Sequence, residues 1–151
     1  MATSELSTFQ LARCESGQER CSAIDIKHRM IVFDASDIDA ESAFWAAFLD
    51  GTVEEWGNTW RAIWVDGGYA LGVQLSPNHV SPEWPDGAPQ QMHLDFYLVG
   101  IDAVDAAHEQ VISLGGRLLK AADDRTAARG FQVYADPAGH PFCLCWIPEP
   151  G

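Results

Sequence analysis

The sequence predicts an α+β fold made of two tandem βαβββ modules, and three observations carry that prediction. The order strand, helix, then three short strands is written twice along the chain. The tripeptide Ile38-Asp39-Ala40 recurs 63 residues later as Ile101-Asp102-Ala103, each time opening a helical segment. Between the halves lies a connector, residues 76–90 (SPNHVSPEWPDGAPQ), whose four prolines exclude a regular helix or central strand. A βαβββ unit leaves one apolar sheet face, so two units gain by burying such faces together.

The elements follow in order. Arg29 to Phe33 (RMIVF) reads as the first strand. Ser36-Asp37 offers a cap for a helix from Ile38 to about Asp50, with Trp45, Phe48 and Leu49 facing the core. Gly51 stops it. Strands are expected over Thr52 to Trp56, Trp60 to Val65 and Ala70 to Leu75, with turns at Gly57-Asn58 and Asp66-Gly67-Gly68. The second half starts with a strand from Gln91 to Leu98. A helix from Ile101 to Leu114 follows, with Ile101, Val104, Ala107, Val111 and Leu114 on one face. Strands are then expected over Arg117 to Ala121, Phe131 to Ala135 and Pro141 to Trp146, the last two joined by the turn Asp136-Pro137-Ala138-Gly139. Module one is thus residues 27–75 and module two 91–147, within a domain of 26–147. Residues 1–25, rich in Ser, Glu, Gln and Arg, read as an N-terminal extension.

Size and charge narrow the function. A chain of 151 residues with 47% hydrophobic residues suits one globular domain. A formal net charge of −13 disfavours nucleic-acid binding; it could attract a cationic ligand, or simply keep the chain soluble. No apolar run is long enough for a membrane helix, and no leader is expected, so a cytoplasmic protein is the expectation. Of four cysteines, Cys14 and Cys21 lie in the extension, where a disulfide is the alternative to free thiols. Cys143 and Cys145 are read as pointing to opposite faces of the last strand. No CxxC pair supports a zinc knuckle.

Three segments carry a family resemblance: Ala43-Phe44-Trp45; Gln90-Gln91-Met92-His93-Leu94-Asp95; and Phe131 to Leu144 (FQVYADPAGHPFCL). Over about Lys27 to Trp146 the chain resembles the glyoxalase-like, bleomycin-resistance branch of the vicinal oxygen chelate superfamily. The resemblance implies two βαβββ modules whose curved mixed sheets surround a cleft. In the enzymes of that superfamily a divalent metal in the cleft polarises vicinal substrate oxygens. Its ligands come from the first and last strands of each module.

Carried over residue by residue, the resemblance places Met30, Gln74, His93 and Cys143 at those four positions. Methionine is a poor ligand for such metals, and the carboxylates are missing at both last-strand positions. No cofactor is therefore favoured. If a divalent metal binds, His28, Gln74 and His93 are its candidate ligands. His93 could equally serve as a base, a hydrogen-bond donor or a structural histidine. Cys143 could be a nucleophile or a small hydrophobe. Asp95 and Tyr97 share the His93 face of their strand, and Trp60 and Trp84 are candidate aromatic walls. Trp56 and Trp64 read either as cleft walls or as sheet packing, and Trp45 as core. His79 and His108 are expected to face solvent, His140 to act within its turn, and Asp136 to cap that turn.

The function expected on this basis is binding of a small organic molecule, cationic or aromatic, in the inter-module cleft. The alternative is a metal-dependent lyase, isomerase or dioxygenase with atypical ligands. A homodimer is the expected assembly, because modules can be paired within one chain or exchanged between two.

Overall fold

A computed structural model of the chain describes residues 28–149. The Cys14–Cys21 pair and the extension lie outside these residues. The element order is β1 (Ile31–Ala35), α1 (Ile38–Phe48), β2 (Thr52–Trp56), β3 (Trp60–Val65), β4 (Gly68–Leu75), β5 (Leu94–Val99), α2 (Ile101–Ser113), β6 (Arg117–Lys120), β7 (Gly130–Ala135) and β8 (Pro141–Ile147). Each module forms its own four-stranded mixed sheet, ordered β1-β4-β3-β2 and β5-β8-β7-β6. In both, the first strand pairs in parallel with the last, and the remaining pairs are antiparallel. The predicted repeat is therefore real in topology as well as in sequence.

Local chemistry sets the boundaries. Asp37 caps α1 by accepting a hydrogen bond from the Ala40 N–H at 3.0 Å. The two-residue loop Asp66-Gly67 has positive φ at both positions, 50° and 78°, the type I′ geometry that matches strand twist. β5 begins at Leu94 rather than Gln91, because the segment leaving the prolines stays irregular through His93.

One core serves both modules. Trp45, fully buried on α1, stacks on Phe33 of β1 and also meets Phe96 of β5 and Phe142 of β8. Phe44 reaches Phe142, and Phe48 reaches Phe96. The face of each sheet that carries its helix is thus buried against common apolar side chains. The other face of each sheet is left open.

A polar junction lies inside this core. Glu41 on α1 and Asp136 in the β7–β8 turn are both fully buried. The Trp45 indole N–H donates to both carboxyls, at 2.8 and 3.2 Å. Glu41 also accepts from the Ala138 N–H at 3.0 Å, and Asp136 accepts from the His140 N–H at 2.7 Å. Burial, then the hydrogen bond and charge of Asp136, push the Glu41 carboxyl up to about 9. Asp136 is raised as well, chiefly by burial, against several lowering hydrogen bonds. Two carboxyls buried side by side favour one proton on the pair.

Asp136 therefore caps its turn as expected, but it also bridges the modules. His140 acts beyond its own turn, since its Nε2 lies 2.8 Å from the Asp34 carbonyl oxygen of β1. His79 and His108 do not simply face solvent. His79 Nε2 is 2.9 Å from the Ala138 carbonyl oxygen, and His108 Nδ1 is 3.0 Å from the Tyr134 hydroxyl.

Candidate functional site

Strand parity builds the open face of the second module. Leu94 and Phe96 on β5, and Phe142 and Leu144 on β8, turn to the core. His93, Asp95 and Tyr97 turn the other way, beside Cys143 and Cys145. The parallel register sets Asp95 opposite Cys143 and Tyr97 opposite Cys145. The expectation that the two cysteines diverge is corrected here. Two residues make one full strand period, so both thiols lie on the same face.

These side chains, with Phe131 of β7, line a cavity of about 560 Å³. A smaller adjoining one, about 170 Å³, shares His93, Phe131 and Cys143 and adds Trp84 and Gln90 from the connector. The structure thus brings together His93, Asp95, Tyr97, Cys143 and Trp84. Phe131, 45% exposed, and Arg129 were missed from the sequence, although the alternation of β7 already puts Phe131 on this face.

His93 Nε2 lies 3.4 Å from Asp95 Oδ1, and both side chains are partly exposed. The Cys143 thiol is pushed up to about 12, first by burial and then by its hydrogen bond to Asp95 and the charge there. Cys145 is raised as well, by burial first and then by the charge of Asp95. Both sulfurs are held as thiols, which does not favour a nucleophilic role beside His93.

The open face of the first module is built differently. Met30 immediately precedes β1 as His93 precedes β5, so the 63-residue correspondence holds. Val32 pairs with Gly72 and Asp34 with Gln74. By the same correspondence Val32 matches Asp95 and Asp34 matches Tyr97. The position equivalent to Cys143 is therefore Gly72, and Gln74 is equivalent to Cys145. A Cβ at Gly72 would lie 2.8 Å from both Met30 Sδ and the Trp60 ring, so these two side chains close over that position. The indole nitrogen of Trp60 is buried there and has no hydrogen-bond partner among the described residues. Further out, Glu54 accepts hydrogen bonds from the Trp64 indole at 2.7 Å and the Tyr69 hydroxyl at 3.2 Å. His28 stands edge-on to Tyr69, at 5.5 Å between ring centres.

A metal held between two modules does not fit this arrangement. One module offers thioether, glycine and indole where ligands would be needed. Among the described residues, no cavity described above is lined by Gln74 together with His93 or Cys143. His28 is likewise absent from the donors gathered around His93.

Residues 30–145 match the family model described as a glyoxalase-like domain. No curated protein matches the chain. Among solved structures, it is similar to the fosfomycin resistance protein FosX of Listeria monocytogenes, with a TM-score of 0.62 at 14% identity over 83% of this chain and 97% of that one. It is similar to a glyoxalase/bleomycin resistance protein/dioxygenase family enzyme of Burkholderia phytofirmans PsJN, with a TM-score of 0.60 at 18% identity over 78% and 96%. A glyoxalase-related enzyme of Fulvimarina pelagi gives 0.59 at 20% identity over 80% and 88%.

Proposed function

The chain belongs to the glyoxalase-like domain family of the vicinal oxygen chelate superfamily, and from that premise we propose that it binds a small organic molecule on the open face of its second module, without a metal held between modules. The observation that carries this reading is the cavity of about 560 Å³ in which aromatic side chains surround a few polar groups. Tyr97 and Phe131 offer ring surface, and Trp84 stands over the adjoining pocket. Asp95 and the net charge of −13 favour a cationic group, while Arg129 at the rim suits an acceptor on the same ligand.

A homodimer belongs to the same reading. Both open faces carry exposed large side chains, Val32 (41%) and Trp56 (51%) on one module and Tyr97 (65%) on the other. A second copy would cover them and wall the cavity. The alternative reading, a metal-dependent lyase, isomerase or dioxygenase using His28, Gln74 and His93, has less support, because Met30 and Trp60 fill the matching position in module one.

Isothermal titration against a panel of cationic aromatic compounds, run in EDTA, tests the proposal. Binding is expected, weakened in Phe131→Ala and Trp84→Ala. No binding across the panel, together with metal-dependent turnover of a lyase or dioxygenase substrate, would overturn it.

A further inference from the structure

The donors that the second module does bring together have a geometry of their own. His93, Asp95 and Cys143 each present a ligand atom, and the three lie within 4.8 Å of one another. All three come from one sheet face. Asp95 and Cys143 are register partners on hydrogen-bonded strands, and His93 is one strand period before Asp95. The 3.4 Å between His93 Nε2 and Asp95 Oδ1 is long for a hydrogen bond. It is, however, close to the edge of a tetrahedron whose metal–ligand bonds are about 2.0–2.1 Å.

We propose that His93, Asp95 and Cys143 form a one-module site for Zn²⁺ or a similarly soft divalent cation. The set is imidazole, carboxylate and thiolate, a borderline-to-soft combination unlike the hard oxygen cage that Mg²⁺ or Ca²⁺ requires. Binding exchanges the sulfur–hydrogen bond of Cys143 for a sulfur–metal bond, and the proton leaves to solvent. The two negative charges of thiolate and carboxylate then balance the cation. Three protein ligands leave a fourth position facing the cavity, open to water or to a donor atom of a bound molecule. In the metal-free protein the strand register keeps the Cys143 sulfur and the Asp95 carboxylate beside each other. The site takes its location from the proposed binding face, but it needs neither an organic ligand nor a second module.

Chelator-stripped full-length protein titrated with Co²⁺ tests this directly. About one equivalent should bind, with a sulfur-to-cobalt charge-transfer absorption that Zn²⁺ displaces. That absorption should persist in the Cys14→Ser/Cys21→Ser double variant and in Cys145→Ser, and vanish in Cys143→Ser. His93→Ala, at a half-exposed side chain where folding is not at stake, should weaken binding by at least about tenfold. Absence of the band in the native sequence would overturn the proposal. So would a band that survives Cys143→Ser or that depends on Cys14 and Cys21. Organic binders found in EDTA alongside a failed Co²⁺ titration would sink the metal site while leaving the small-molecule reading intact.

Discussion

Gly72 shows how much one residue decides about this protein. It sits where the second module has Cys143, and its missing side chain is the space taken by Met30 and Trp60. Gly72→Val should overpack that contact and cost about 1–3 kcal/mol, read as a lower urea midpoint at unchanged slope. No loss of stability would mean that Met30 and Trp60 are free to move aside. Met30 itself was legible as the partner of His93, because the tripeptide repeat supplies the offset. Gly72 was not, because counting to the end of a strand cannot tell two same-face positions apart. Only the register, with Val32 against Gly72 and Asp95 against Cys143, separates them.

At the scale of elements, α1 is where local and tertiary forces meet. Its cap is local: Asp37→Ala should remove the bond to the Ala40 N–H and destabilise by about 1 kcal/mol, checked by thermal unfolding. Its other end of business is the buried junction with the β7–β8 turn. The Glu41 carboxyl is raised from 4.5 to about 9, so the folded chain holds its proton more tightly than the unfolded chain does. The stabilisation is therefore complete below about pH 4.5 and is lost as pH rises towards 9. One proton bound differently corresponds to a slope of about 1.4 kcal/mol per pH unit at most. Urea midpoints measured between about pH 5 and about pH 9 should fall in the native sequence more steeply than in Glu41→Gln, whose amide keeps a donor towards Asp136. Parallel profiles would show that Glu41 carries no such proton. The rings of His140 and His79, 5.0 Å apart beside the junction, are present in both proteins, so the comparison isolates Glu41.

At the scale of the whole molecule, one core lies between two helix-bearing sheet faces, and the open faces look outward from it. On the proposed reading, a second copy covers those open faces. Sedimentation velocity should give a dimer, and Tyr97→Glu or Trp56→Glu should shift it towards monomer by setting a charge on an apolar face. A monomer at all concentrations would remove the dimer from the reading without touching the cavity of the second module. The acidic balance acts at this scale as well, and its self-repulsion weakens association between copies at low salt.

The sequence by itself determined the modules, the ten elements to within a few residues, the family, and the alignment of Met30 with His93. These depend on short-range signals: strand and helix periods, turn residues, caps and a repeat. The shared face of Cys143 and Cys145 also follows from the strand period alone, although they are read above as lying on opposite faces. Tertiary structure alone decided the rest. It paired Glu41 with Asp136 across 95 positions of chain, tied His140 to β1, filled the first module's site with Met30 and Trp60, and set Asp95 between His93 and Cys143. Each of these is a contact between elements far apart in sequence, where burial and register choose the partner and no local preference records the choice.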